Sequence, residues 1–181
     1  PFGDPWQALE RCQAGDTIHV AEGRYFGRLG VGVWSIPFDS VQVLGGYTTD
    51  FAARDPWAHP TQLLWDKTSK NRPNQARLLV RGKGAVVDGI TIDMRDQNEY
   101  VDEQQSGRKD RNVEETAISF ENAGTVRNCV VVNACQECVV TPPGSTIENN
   151  LFVNAMIFAV KVNSGDPKAI TSIKNNTILF T

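Results

Sequence analysis

The chain reads as an all-β protein, a right-handed parallel β-helix (a solenoid) with an N-terminal capping helix. Three observations predict this. Val87-Asp88-Gly89-Ile90, Val126-Arg127-Asn128-Cys129, Ile147-Glu148-Asn149-Asn150 and Ile173-Lys174-Asn175-Asn176 repeat one short pattern at spacings of 39, 21 and 26 residues. Each copy opens a run of Val, Ile and Phe cut by Gly, Pro and Asn, the composition of short strands. A unit this short cannot bury a core of its own and must stack on its neighbours.

Asp4-Pro5 supplies an N-cap followed by proline at the first helical position. Trp6, Leu9 and Cys12 then fall on one face of a helix near residues 5–12, with 1–16 forming a cap. Such a cap covers raw strands that would otherwise invite pairing. Gly15-Asp16 ends it and leads into the strand Thr17-Ile18-His19-Val20. Val41-Gln42-Val43-Leu44 reads as a further strand closed by Gly45-Gly46-Tyr47. Asp50 to Thr61, with Pro56 and Pro60, reads as a long ordered loop before Leu63-Leu64, and Leu78-Leu79-Val80 resumes the coils.

Anchoring the repeats on Asn133 and Asn154 aligns Ile118, Val139 and Val160, with Phe120, Thr141 and Val162 beside them. Strand side chains alternate faces, so these columns point inward and Ser119, Val140 and Lys161 outward. Asn128, Asn149 and Asn175 share one turn offset. Asparagine tolerates the left-handed conformation there, and its amide can bond to the amide one coil away, so the three predict a structural ladder. Residues 95–115 break the pattern with seven acids and four bases. Charges at that density cannot enter a coil interior, so the segment reads as a loop inserted between coils, beside the strand face of Ser119 and Lys161.

The length suits one domain over residues 1–181. A net charge of −3 with no basic stripe argues against nucleic acid as a partner. No apolar stretch approaches the ~18 residues of a membrane span, and no signal peptide is visible. The start at Pro1-Phe2-Gly3 and the stop at Leu179-Phe180-Thr181 inside a strand pattern suggest a piece of a longer protein, with end-to-end contact to the remainder. Cys135 and Cys138 have the spacing of a redox pair or half a zinc site. Neither a second ligand pair nor a βαβ context accompanies them, which leaves a corner disulfide or two buried thiols. Cys12 reads as core. His19 and His59 stand isolated and read as packing or loop residues.

The segments TVRNCVVVNA and TIENNLFVNA resemble the β-helix repeat of the pectate-lyase-like superfamily. AGDTIHVAEGRY and LGGYTTDFAARDPWAHPTQL are similar to segments of its bacterial secreted and surface members. The resemblance covers almost the whole chain. It implies an extracellular or cell-surface location and polysaccharide laid along the outer face of one strand column. Here that groove carries Ser119, Glu121, Val140, Lys161 and Asn163. The calcium ligands of pectate lyases and the clustered Asp of polygalacturonase-like hydrolases have no match on it. Alginate- and chondroitin-type lyases pair a Lys with an Arg, which makes Lys161 the candidate base and Arg95, Arg108 or Arg111 the candidate neutraliser of a substrate carboxylate. Nothing local to Lys161 would activate it. Asp93 and Asp96, with Asp102 or Glu103, could offer oxygens to calcium, but no fixed spacing supports a site and no cofactor is expected. The expected function is a carbohydrate-associated module that binds or scaffolds. A polysaccharide lyase and a structural surface or filament module are the alternatives.

Overall fold

The computed structural model describes residues 2–27, 33–64, 76–94, 116–134 and 136–180, and these form a parallel β-helix behind one N-terminal helix. Helix α1 (Pro5–Arg11) starts where Asp4 accepts the Trp6 N–H at 2.8 Å and proline occupies the first turn. It drops Leu9 onto the open interior and sets Trp6 edge-on to Trp34, 5.9 Å between ring centres.

Each of the five following coils contributes three strands. The first holds β1 (Thr17–Ala21), β2 (Gly23–Phe26) and β3 (Trp34–Ile36). The second holds β4 (Gln42–Tyr47), β5 (Thr61–Leu64) and β6 (Leu78–Val80), and the third β7 (Val86–Asp88), β8 (Ile90–Asp93) and β9 (Thr116–Phe120). Then come β10 (Thr125–Arg127), β11 (Val130–Val132) and β12 (Glu137–Thr141), followed by β13 (Thr146–Glu148), β14 (Leu151–Val153) and β15 (Phe158–Val162). The sixth turn adds β16 (Ser172–Lys174) and β17 (Thr177–Leu179). Three parallel sheets result, ordered β1-β4-β7-β10-β13-β16 (sheet A), β2-β5-β8-β11-β14-β17 (sheet B) and β3-β6-β9-β12-β15 (sheet C).

Register builds the core as columns. Ile18, Val43, Val87, Val126, Ile147 and Ile173 stack in sheet A. Trp34, Leu78, Ile118, Val139 and Val160 stack in sheet C. Fully burying one such side chain stabilises by about 1.5–3 kcal/mol, so every coil depends on the two beside it. On the last coils the columns open: Ile173, Ile178, Leu179 and Phe158 are each about half exposed.

The corner between sheets A and B is made by left-handed residues. Gly89, Asn128, Asn149 and Asn175 follow the last sheet A residue of successive coils, all at positive φ. Asn149 Nδ2 donates to Asn128 Oδ1, and Asn128 Nδ2 donates to Asp88 at 2.8 Å. Asn175 repeats the conformation, and Asn149 N–H reaches the Lys174 carbonyl at 3.2 Å. A second column turns the corner from sheet B to C: Asn133 Nδ2 donates to Asp93 at 2.8 Å, and Asn154 Nδ2 to Asn133 at 3.2 Å. A third runs inside. Asn150, 2% exposed, accepts the Cys129 N–H at 2.9 Å and donates to the Val126 carbonyl at 3.2 Å and to Asn176 Oδ1 at 2.9 Å.

Some expectations need correction. Strand β4 does not close at Gly45-Gly46 but runs through both glycines to Tyr47. A β-carbon on Gly45 would lie 2.5 Å from the Gly89 carbonyl oxygen, so glycine permits the close approach of two coils. Cys138 is a free, fully buried thiol, which removes the corner disulfide, and Cys135 lies outside the described residues. Burial pushes the Cys129 and Cys138 thiols up to about 12. Both are expected to resist alkylation by iodoacetamide in native protein at pH 8 and to react only in denaturant. Peptide mapping would check this, and native labelling of either would contradict the packing.

Candidate functional site

The residues singled out from the sequence lie mostly on sheet C. The register aligns Ser119, Val140 and Lys161 as the outward column. Of the candidate groove side chains, Lys161 and Glu121 are already engaged. The Lys161 ammonium sits 3.0 Å from Oε1 of Glu137, whose side chain is 4% exposed, and Thr116 donates to the other oxygen at 2.9 Å. Glu121 accepts from Arg81 Nε at 3.3 Å, and the Asn163 N–H binds the Thr141 carbonyl. The candidate neutralisers Arg95, Arg108 and Arg111, the calcium candidate Asp96 and the loop 95–115 lie outside the described residues. Asp93 receives the Asn133 amide, and no group of three metal-ligating side chains occurs among the described residues. No described helix is long and apolar enough to cross a membrane.

Topology nonetheless marks one connection. Segments 27–33, 65–77 and 94–115 each link a sheet B strand to its sheet C strand in sequence, whereas 133–136 and 154–157 do so with four residues. In the first three coils the chain between these strands is thus longer than in the next two.

A different cluster is built at the opposite end of sheet A. Strand β1 places His19 outward, and β4 ends on Tyr47, where the parallel pairing shifts register between His19 and Ala21. The two rings stack at 4.7 Å with only 12° between planes. Phe51 follows in the turn after β4 at φ 59°, its ring 5.8 Å from that of Tyr47. The Arg54 guanidinium lies over the Tyr47 ring at 5.7 Å. Phe51 and, further along the loop, Trp57 are about half exposed. This aromatic shelf is held by polar anchors. Arg54 Nε donates to the Gly45 carbonyl at 2.9 Å, and its terminal nitrogen pairs with Asp88. Asp88 also receives Arg127 Nε at 2.7 Å and the Asn128 amide. Burial alone would raise the Asp88 carboxyl, but hydrogen bonds from Asn128, Arg54 and Arg127 and the charge of Arg54 outweigh it and hold the group below the usual carboxylate range. Asp88 is thus a buried clasp that ties the third coil to the fourth and to the 48–60 loop of the second.

Beside the shelf, a cleft of about 600 Å³ opens between α1 and β1. Its walls include Phe2 and Arg11 on the helix side, the whole run Asp16–Glu22, and Tyr25 and Phe51. Three carboxylates, Asp4, Asp16 and Glu22, face Arg11 as the cleft's one guanidinium. Glu22 Oε2 meets His59 Nδ1 at 3.0 Å, and the Tyr25 hydroxyl donates to the Ala21 carbonyl at 3.2 Å. Burial, reinforced by the negative charges of Asp4 and Glu22, raises the Tyr25 phenol. The cleft falls within the ~300–1,000 Å³ of small-ligand sites.

His19, Tyr47 and Phe51 were not legible as a site, because His19 and Tyr47 meet only through β1–β4 pairing. The chain matches no family model, no curated protein and no solved structure.

Proposed function

We propose that the protein is an extracellular or cell-surface β-helix module that binds or scaffolds carbohydrate without turning it over. The observation that carries this is the His19–Tyr47–Phe51 shelf, solvent-facing on a rigid sheet and backed by Arg54. Aromatic faces complement the apolar C–H faces of pyranose rings, while neighbouring polar groups take the hydroxyls. The resemblance of the repeats to the pectate-lyase-like superfamily supports the same ligand class. Turnover finds less support, since the Lys161 ammonium is engaged by Glu137.

Affinity electrophoresis in gels of neutral and acidic polysaccharides tests the reading. At least one glycan is expected to retard the protein, and His19→Ala together with Phe51→Gly to weaken binding about tenfold. Glycine suits the positive φ of Phe51, so the fold should survive. No retardation by any glycan would overturn the proposal, as would retardation unchanged by the double variant. New absorbance from an unsaturated product on uronate polymers would overturn its non-catalytic part.

A second reading, a structural module that stacks end to end, is favoured by the half-exposed Ile173, Ile178, Leu179 and Phe158 of the last coils. Its signature is concentration-dependent assembly by light scattering, abolished by Ile178→Lys.

A further inference from the structure

Strand β1 ends the order of sheet A, so one side of it has no strand among the described residues. Its register says which groups face that side. Thr17 pairs with Gln42 and His19 with Leu44; the Gln42 N–H binds the Asp16 carbonyl, and the Glu22 N–H binds the Tyr47 carbonyl. In a parallel ladder both main-chain groups of alternate residues point to the same neighbour. The groups turned toward β4 therefore belong to Asp16, Ile18, Val20 and Glu22. Those of Thr17 and His19 turn away, together with the Ala21 N–H. The Ala21 carbonyl is already taken by Thr61 at 2.9 Å and Tyr25 at 3.2 Å.

This bare edge is not blocked by the capping helix. Leu9 of α1 fills the coil interior, and the cleft runs between the helix and the whole length of β1. An exposed edge is a template for an added strand. The walls specify its charge, with Asp4, Asp16 and Glu22 set against Arg11 alone. We propose that the cleft is a strand-addition site for an extended, lysine- or arginine-bearing polypeptide segment. Main-chain bonds to Thr17 and His19 hold the segment, and its cationic side chains lie against the three carboxylates. The site adjoins the aromatic shelf and does not depend on the glycan reading. Peptide units offer donors and acceptors at the spacing of β1, and a pyranose chain does not.

The test uses a fluorescein-labelled peptide alternating valine and lysine, followed by anisotropy at low and moderate salt. Binding is expected, weakening as salt rises. N-methylation of the residues opposite Thr17 and His19 is expected to weaken it at least about tenfold by removing the main-chain donors at unchanged charge. Asp16→Asn combined with Glu22→Gln is expected to weaken the lysine peptide about tenfold and leave circular dichroism unaltered. Equal affinity of the N-methylated peptide overturns the proposal, because attraction would then be charge alone. Equal binding of a valine–glutamate peptide overturns it, as does absence of binding by the valine–lysine peptide. Antiparallel pairing of two copies through β1, seen as a dimer that excludes the peptide, also overturns it.

Discussion

Asp88→Ala is expected to destabilise the protein by about 3 kcal/mol in urea unfolding at pH 7. Removing one partner of a buried ion pair costs about 3–5 kcal/mol, because charges are left uncompensated. The lower end applies since Arg54 and Arg127 are 26% and 40% exposed and can turn toward water, while Asp88 is 3% exposed. The wild-type pH dependence follows from the same site. The folded-state carboxyl is depressed, so its contribution is fully present above the unfolded value of ~3.9 and disappears as pH falls through the folded value. Stability should therefore fall below about pH 4 in wild type and fall less steeply in Asp88→Ala. Because Arg54 ties the 48–60 loop to the coils, the variant should also loosen the aromatic shelf and weaken ligand binding there. Equal stability of the two proteins at pH 7 would show that the clasp contributes nothing.

Asn150→Ala is expected to cost about as much, near 3 kcal/mol, although no charge is involved. Its amide joins three coils, and truncation strands the Cys129 N–H where water does not reach, removes a bond to the Val126 carbonyl and leaves Asn176 Oδ1 without that donor. Each buried unsatisfied group costs about 1–3 kcal/mol. Its neighbour Asn149 provides the control. Asn149 is exposed at φ 57°, so Asn149→Ala is expected to cost about 1 kcal/mol, mostly the left-handed backbone, and Asn149→Gly close to nothing. Thermal and chemical unfolding of the three variants would check the order. Asn149→Ala costing as much as Asn150→Ala would mean that the outer asparagines, and not the inner one, hold the corner.

The contrast shows what was legible before the structure. The recurring Val/Ile-x-Asn triplets expose the repeat because a left-handed corner accepts few residues, and the same position in the third coil holds Gly89. Asn128, Asn149 and Asn175 were therefore visible as one column. Their relative burial was not, because which of two adjacent asparagines points inward depends on the corner geometry. The first two coils were only partly readable. Strands β2 and β3 are short and separated by segment 27–33, and β5 follows a loop rich in turn residues, so no fixed interval links them. Lys161 was correctly placed on an outward column, but its partner Glu137 lies on the preceding coil. Likewise, Arg54 and Asp88 meet because Gly45, Gly46 and Gly89 let the 48–60 loop lie against the corner, a contact no local pattern encodes.

The unequal lengths of the connections between sheet B and sheet C strands bear on how this protein can change. Each sheet senses only the register of its own strands, so length added in such a connection leaves all three ladders unaltered. Closing a longer excursion costs little, roughly 0.6 kcal/mol for each doubling. The connections 133–136 and 154–157 show the same link made with four residues on later coils. A foreign segment spliced at 154–157 would enter between β14 and β15, next to the strand whose outward column ends at Lys161. The solenoid thus separates two kinds of inheritance: a spine whose spacing is constrained coil by coil, and a margin where new sequence can be added without renegotiating the spine.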